Sequence, residues 1–325
     1  MQARRPGGVA FCMKQRRVGR DAGVFSRKLT VGRRRSKLGG MTRVWQTLGI
    51  VVLAFALVRP ALADQAAVHY NEGLNLKRQG KTAEAIEEVK LAIAARKDYA
   101  AAWFTLGNLY RSQGEYDNAL GAYQKTVALQ PANADARANL GALYIRMKRV
   151  EEGIKELVSA ISLDDTNYDA RATLGMAYRQ KGDYPKAIIH LRRATEIKPD
   201  EALAWTNLGV ALGKTDEKQE AIAAFKKAIQ IDPQNGQHHF NLAVVYRQQK
   251  RPDDAIPEYQ EAVKLDPLLS AAYYDMGLLY SQDRRYDEAL GAFKKYLATN
   301  DKHDPASERD AQERIKSLET AAKKK

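Results

Sequence analysis

The sequence predicts an all-α solenoid built from antiparallel helix pairs, and two observations support this fold class. Small residues recur every 34 positions along most of the chain. Each lies within a helical pattern of apolar residues, as in WFTLGNLY at 103–110. A fixed period of this length is typical of repeat proteins, whose units bury their apolar faces by stacking. The small residues are Gly73, Gly107, Gly141, Gly175, Gly209, Ala243 and Gly277.

Seven contiguous units of 34 residues fit this spacing without any insertion. With the small residue at position 8, position 7 is leucine or methionine in six units, and position 11 is leucine or tyrosine throughout. Position 20 is alanine or glycine, position 24 is large and mostly apolar, and position 32 is proline in four units. The units are 66–99, 100–133, 134–167, 168–201, 202–235, 236–269 and 270–303.

These positions predict two helices in each unit. Positions 4, 7, 8 and 11 share one helical face, and positions 20, 24 and 27 share one face of a second helix. In the polar turn between them, Gly114 and Gly182 suit the left-handed backbone that often follows a helix. Small residues at positions 8 and 20 should let the two helices approach closely, while larger residues fill the space around them.

This pattern resembles the tetratricopeptide repeat family, whose consensus places Trp, Leu-Gly and Tyr in the first helix, then Ala, Phe and Pro. The resemblance covers residues 66–303, within a repeat domain assigned to 64–303, and Trp103 and Trp205 match even the variable tryptophan. It implies a right-handed superhelical solenoid that binds other proteins. Position 4 departs from the consensus in four units, at His69, Arg137, Arg171 and His239.

Residues 304–325 follow the repeats and are predicted to form a capping helix with a basic tail. Asp304 and Pro305 suit the N-cap and the first helical residue. Ala311, Ile315 and Leu318 form a narrow apolar stripe on an otherwise charged helix. A solenoid needs a polar cap over its last open face, although a partner-binding tail is the alternative.

The N-terminal 63 residues have a different composition. Residues 41–63 hold a short apolar run ending in ALA, which predicts a secretory signal peptide cleaved between Ala63 and Asp64. The run spans roughly 17 Å as a helix, against about 30 Å of hydrocarbon, which disfavours an inner-membrane anchor facing the periplasm. Residues 1–40 are interpreted as an over-extended translation start, with Met41 as the natural start, or as a long basic leader. The expected location is the periplasm.

Charge is concentrated in this N-terminal part. The chain has 53 basic and 39 acidic residues, and residues 1–63 hold 14 of the basic residues and one acidic residue. The remaining 39 basic and 38 acidic residues give a net charge of +1. We therefore expect no nucleic-acid partner, and contact with a membrane only through the signal peptide.

The repeat region offers little for catalysis. Its histidines have no metal-ligand spacing, and the only cysteine is Cys12. No phosphate-binding loop or nucleophile elbow is present in the sequence. We therefore expect no enzymatic activity, no metal and no cofactor.

A concave groove lined by the first helices is the candidate binding site that the resemblance implies. Positions 5 and 9 would supply a mainly apolar floor, position 6 a row of asparagines and position 12 a row of cations. The asparagines could grip a peptide backbone, as in the repeat domain of the protein O-GlcNAc transferases, or could bond neighbouring backbone. The predicted lining is Tyr70, Phe104, Asn108, Met176, Val210, Phe240, Val244, Tyr274, Asn71, Asn139, Asn207, Asn241, Lys77, Arg111, Arg179 and Arg247.

The predicted function is a scaffold that binds an extended or helical peptide with acidic residues, in assembly of the cell envelope. Recurring position-12 cations in a region of nearly zero net charge favour acidic partners, although cations also suit helix C-termini. One alternative is an accessory subunit that presents substrate to a glycosyl or peptidoglycan enzyme. Another is a cytoplasmic adaptor.

Overall fold

The computed structural model describes residues 65–300 and 305–322, and the predicted leader, signal peptide and Asp304 lie outside the described residues. The described residues form fifteen helices and no strand. They are α1 (65–78), α2 (Thr82–Ala95), α3 (Ala100–Ser112), α4 (Tyr116–Leu129), α5 (Ala134–Arg146), α6 (Val150–Leu163), α7 (Tyr168–Gln180), α8 (Tyr184–Ile197), α9 (Ala202–Gly213), α10 (Lys218–Ile231), α11 (Gly236–Gln248), α12 (Pro252–Leu265), α13 (Ser270–Gln282), α14 (Tyr286–Thr299) and α15 (Pro305–Ala322).

Helices α1 to α14 alternate as first and second helices of the 34-residue pattern, and from α3 to α14 each first helix packs mainly on the second helix that follows it. First helices from α3 onward begin at position 1, and second helices run from position 17 to position 30. Second helices also contact the first helix of the next pair, as α8 contacts α9 and α10 contacts α11. The predicted all-α solenoid is confirmed.

The row of small residues lies at the close contact inside each pair. A Cβ atom built on Gly107 would lie 2.6 Å from Tyr123 Cε1, and one built on Gly277 would lie 2.8 Å from Phe293 Cε1. Both partners are at position 24 and fully buried. The same contact joins Gly73 to Val89, Gly141 to Leu157, Gly175 to Leu191 and Gly209 to Phe225. The backbone cost of a helical glycine, about 1 kcal/mol, is therefore offset by close packing.

The turns within pairs use one left-handed residue. Gly114 and Gly182 both have φ of +79°, as predicted. Lys148, Lys250 and Arg284 adopt the same conformation with φ between 56° and 63°. The turn after α9 differs. Helix α9 is one residue shorter than α3, α5 and α7, and no residue of the turn at 214–217 has a positive φ.

Position 4 shows why tryptophan and arginine interchange there. Trp103 Nε1 donates to Lys97 O at 2.9 Å, and Arg137 Nε donates to Pro131 O at 2.9 Å. Both acceptors belong to position 32 of the preceding unit, so each bond closes the junction between two units. Trp205 makes the same bond to Pro199 O.

Histidine at position 4 makes a different contact. His69 and His239 each lie 2.7 Å from a glutamate at position 23 of the same unit. Arg137 reaches the same place with its terminal nitrogen, which lies 2.7 Å from Glu156. Arg171 lies 3.2 Å from His190, which is also at position 23, so all four departures place a polar contact between the two helices of a pair. The glutamate partners are Glu88 and Glu258.

Helix α15 packs on α14 and ends the stack. Ala311 and Leu318 are buried, and Ile315 packs against the same apolar cluster. The predicted capping helix is confirmed. No helix in the described ranges is long and apolar enough to cross a membrane.

Candidate functional site

The inner face of the stack is formed by the first helices. Contacts between α5 and α7, between α7 and α9 and between α9 and α11 bring neighbouring first helices together. The predicted lining residues at positions 5 and 9 are all half-buried. A groove floor needs this partial exposure, because a ligand gains by covering apolar surface that water still reaches. These residues are Tyr70, Phe104, Asn108, Met176, Val210, Phe240, Val244 and Tyr274.

Aromatic side chains at position 5 rest on the buried rings of position 24. The ring centroids of Phe104 and Tyr123 are 6.0 Å apart, and those of Phe240 and Tyr259 are 5.8 Å apart. Both distances suit favourable aromatic contacts. The floor is therefore held in place by the core beneath it.

The tyrosines at the two ends of the predicted floor form hydrogen bonds with neighbouring helices. Tyr274 OH donates to Asp310 Oδ2 of α15 at 2.6 Å, and Arg314 also binds this carboxylate. Tyr70 OH lies 3.2 Å from Thr105 Oγ1 in the next first helix. The capping helix thus engages the hydroxyl of the last floor residue.

The asparagines at position 6 bond mainly within their own helices. Asn139 Nδ2 donates to Asp135 O at 2.9 Å, and Asn207 Nδ2 donates to Leu203 O at 2.8 Å. Asn207 is also buried, and Asn241 accepts a bond from Gln237. These bonds favour local backbone bonding over an asparagine row that grips a peptide. Asn71 remains exposed.

Three of the four predicted cations make no ion pair with a described residue. Lys77 and Arg111 are exposed, and Arg179 is half-buried. Arg179 Nε is buried and has no hydrogen-bond partner among the described residues. Because Nε is itself buried, a ligand carboxylate would meet the rest of the half-buried Arg179 guanidinium group, whose charge no described acidic residue neutralises.

Arg247 differs from the expectation of a free cation. Its Nε lies 3.3 Å from Asp275 Oδ2 and donates to Tyr259 OH at 3.2 Å. Tyr259 OH in turn donates to Asp275 Oδ2 at 2.7 Å. Burial raises the pKa of Tyr259, and it raises the pKa of the Asp275 carboxyl despite these two partners. The stripe of free cations therefore does not extend to Arg247.

The sequence pattern did not indicate Asp275 as a functional neighbour, since position 6 was considered only where it holds asparagine. The sequence does hold a pattern that could have predicted this cluster, namely tyrosine at position 24 and arginine at position 12 of one unit with aspartate at position 6 of the next. Tyr123 occupies the same position 24 in another unit but has no aspartate beside it, and its hydroxyl donates to Asn108 Oδ1 at 2.7 Å. Burial raises the pKa of Tyr123 to about 12, and Arg111 opposes this shift.

A cavity of about 180 Å³ lies between α9 and α11 on the groove side. Its walls are mainly apolar, and its polar groups come from three side chains. Four of the predicted lining residues meet here, namely Val210, Phe240, Asn241 and Val244. The other lining residues are Gly209, Gly213, Lys214, Phe225, Val245 and Gln248.

A second cavity, of about 470 Å³, is lined by residues of α12, α13 and α14 outside the predicted groove. Tyr273, Met276 and Tyr280 contribute its aromatic and apolar surface, and Lys264, Lys295 and Glu288 contribute charges. Among all the described residues, no group of three or more histidine, cysteine, aspartate or glutamate side chains could hold a metal ion.

Comparison with protein families identifies the repeats. Models described as "TPR repeat" match residues 107–148 and 175–216. Models described as "Tetratricopeptide repeat" match residues 134–167, 202–235, 219–270 and 240–305. Together these matches cover more than half of the chain. They do not reach the unit 66–99, so the count of seven repeats stays a prediction.

Solved structures share the fold at low sequence identity. The structure of YrrB, described as a TPR protein with an unusual peptide-binding site, is 23% identical with a TM-score of 0.52, covering 57% of this chain and 95% of YrrB. PilF of Pseudomonas aeruginosa is 19% identical with a TM-score of 0.56, covering 64% and 94%. A tetratricopeptide repeat protein of Parabacteroides merdae is 16% identical with a TM-score of 0.55, covering 78% and 99%. No curated protein matches the sequence.

Proposed function

Because this chain belongs to the tetratricopeptide repeat family, whose members generally act as protein-interaction scaffolds, we propose that it binds a peptide segment of a partner protein along its inner face. The half-buried floor at positions 5 and 9 carries this proposal. It offers apolar surface that is fixed from below by the core and still open to a ligand. The proposed scaffold has no catalytic role of its own.

The proposed ligand segment combines apolar and acidic residues. Apolar contacts with the floor, including Phe104 and Phe240, would supply most of the affinity. Lys77, Arg111 and Arg179 are the cations at position 12 that are free to meet carboxylates. They would raise the association rate and fix the register of the ligand.

Selection of peptides from a random 12-residue phage library on the immobilised full chain tests this function. We expect selected peptides to carry acidic residues beside aliphatic or aromatic ones. The double variant Arg111→Glu and Arg179→Glu should slow their association about tenfold at low salt, and less at high salt, because screening shortens the range of these charges.

A matched control changes the same number of cations on second helices. Lys125 of α4 and Lys226 of α10 are exposed and make no ion pair with a described residue. The variant Lys125→Glu and Lys226→Glu should bind the selected peptides with unchanged kinetics. Equal effects of the two double variants, or selected peptides indifferent to both, would place binding away from the inner face.

We further propose that the protein acts outside the cytoplasm, as a scaffold in the cell envelope. The support is the short apolar run at 48–58 and the ALA site at 61–63, which are typical of a secretory signal peptide. Residues 1–64, which include this run and the cleavage site, lie outside the described residues.

A further inference from the structure

The cavity between α9 and α11 exists because one side chain is missing from the groove edge. Position 12 holds a lysine, arginine, isoleucine or serine in the other units, but it holds Gly213 in this one. A Cβ atom on Gly213 would meet only Val245 Cγ2, at 3.5 Å, which is an ordinary contact. Close helix packing therefore does not require this glycine, in contrast to the glycines at position 8.

Backbone conformation does not require glycine at this site either. Gly213 is the last residue of α9, and its φ is not positive. Glycine is less favourable than alanine within a helix, because its backbone loses more freedom on folding. The missing side chain at Gly213 leaves open the space that the cavity occupies.

The walls of the cavity define what can fill it. Val210, Phe225 and Phe240 are among the lining groups, with Val244 and Val245 beside them. A polar group placed against such walls without a partner would be unfavourable, whereas an apolar group would gain by leaving water. An apolar cavity of about 150 Å³ is large enough to hold benzene. The 180 Å³ here therefore suits an aliphatic side chain such as leucine or methionine.

The rim of the cavity carries a free cation. Lys214 follows Gly213, is exposed and makes no ion pair with a described residue. Arg179, whose Nε has no partner, lies in the last turn of the neighbouring first helix α7, at the equivalent position 12. Lys214 at the cavity rim and Arg179 at position 12 of α7 are therefore two cations that make no ion pair with a described residue.

We propose that the cavity at Gly213 is the anchor site of the groove, which takes one aliphatic side chain of a partner peptide whose adjacent aspartate or glutamate pairs with Lys214. This inference rests on the proposed function, because it names the ligand residues that the inner face recognises. It makes Gly213 the residue that decides where along the solenoid the peptide is fixed.

A small probe tests the anchor site directly on the full chain. N-acetyl-leucyl-aspartate amide is titrated against protein with labelled valine methyl groups, and the methyl signals of Val210, Val244 and Val245 are followed by NMR. We expect these signals to shift in a saturable way. The serine analogue, N-acetyl-seryl-aspartate amide, should bind about tenfold more weakly or worse, because it lacks the apolar side chain.

Variants at Gly213 and Lys214 assign the effect to the cavity. Gly213→Leu fills the space with its own side chain and should abolish the shifts, while Gly213→Ala should keep at least part of them. Lys214→Glu should weaken the leucyl-aspartate probe but not the uncharged N-acetyl-leucine amide. If Gly213→Leu disturbs α9, as seen by circular dichroism, Val244→Phe fills the cavity from α11, the opposite wall, and Val210 and Val245 remain as probes.

The results separate this inference from the proposed function. Absence of saturable shifts at the three valines, or shifts that persist when the cavity is filled, would overturn the anchor site. Peptides selected from the phage library would still support the groove if they respond to Arg111→Glu and Arg179→Glu but not to Gly213→Leu. Anchor binding without any effect of those charge reversals would instead contradict the proposed cation stripe.

Discussion

Gly175 and Leu191 meet more closely than any side chain at position 175 would allow. A Cβ atom on Gly175 would lie 2.5 Å from Leu191 Cγ and 3.3 Å from the carbonyl oxygen of Ala187. Leu191 is fully buried, so it cannot move aside into solvent. The contact joins α7 to α8 and repeats in the other units that have glycine at position 8.

Gly175→Leu should therefore destabilise the protein. The inserted side chain must push α7 and α8 apart, which costs about 1–3 kcal/mol or more of unfolding free energy. Gly175→Ala should lower the unfolding free energy less, because it adds only one methyl group. Urea denaturation followed by circular dichroism measures both. A change below about 0.5 kcal/mol for Gly175→Leu would mean that the helix pair is not closely packed there.

Alanine substitution at position 22 of the repeat should instead stabilise the protein. Gly121 of α4 and Gly291 of α14 are helical glycines, and a Cβ atom on either would meet no atom within 4 Å. The double variant Gly121→Ala and Gly291→Ala should raise the unfolding free energy by about 1–2 kcal/mol in total, because the unfolded chain loses conformational freedom. The same denaturation measurement applies. A loss of stability would show that these glycines have a packing role.

The contrast between these glycines shows how much of the fold follows from the sequence. Spacing alone predicted that Gly175 faces a partner helix, since position 8 falls on the apolar face with positions 4, 7 and 11. The turn glycines Gly114 and Gly182 were also predictable, because a helix followed by glycine often ends in a left-handed residue. Such features depend on contacts within one unit, and a periodic pattern encodes them directly.

Features that join two units were harder to predict. Arg247 was expected to be free, yet Asp275 of the next unit lies 3.3 Å from it. The cavity at Gly213 likewise needs α11 as its second wall. Such contacts depend on how each unit is rotated on its neighbour, which the spacing of residues along one helix does not specify. For the asparagines at position 6, the sequence left two roles open, and Asn139 and Asn207 take the local one by bonding to backbone of their own helices.

The cluster around Asp275 gives a third prediction. Tyr259→Phe removes the hydroxyl that donates to Asp275 at 2.7 Å and leaves a largely buried carboxylate with Arg247 as its remaining partner. We expect a loss of about 1.5–3 kcal/mol in unfolding free energy, because hydrogen bonds to charged groups are the stronger ones.

Tyr123→Phe is the matched control, since Tyr123 is an equally buried position-24 tyrosine whose hydroxyl donates to the neutral Asn108 at the same distance. It should cost only about 0.5–1.5 kcal/mol. Equal losses for the two variants would show that the charge of Asp275 adds nothing to its bond with Tyr259.

Export gives a fourth prediction. N-terminal sequencing of the protein isolated from its native host should find Asp64 as the first residue, because the apolar run at 48–58 is too short to anchor the chain and ends in a small-residue cleavage site. A variant with Ala61→Arg and Ala63→Arg should keep its leader, because it lacks the small residues of the cleavage site. A native chain that begins at or before Met41 would contradict cleavage.

The last prediction concerns acid pH and two histidines. His238 is 4% exposed, its Nδ1 lies 3.0 Å from Thr206 Oγ1, and its Nε2 has no hydrogen-bond partner among the described residues. Burial lowers the pKa of His238 and outweighs Asp232, whose carboxylate is 3.8 Å away. Burial also lowers the pKa of His190, which lies 3.2 Å from Arg171.

Both histidines therefore bind protons more readily in the unfolded chain, where their pKa is 6.5. Their contribution to stability is complete above that value and is lost as the pH falls through the lower pKa of the folded state. The unfolding free energy should consequently begin to fall as the pH is lowered below about 6.5, above the range in which most carboxylates titrate. Urea denaturation at a series of pH values measures the slope. The double variant His190→Gln and His238→Gln should flatten it, because glutamine fills similar space without taking up a proton, and an unchanged slope in that variant would assign the acid sensitivity to other groups.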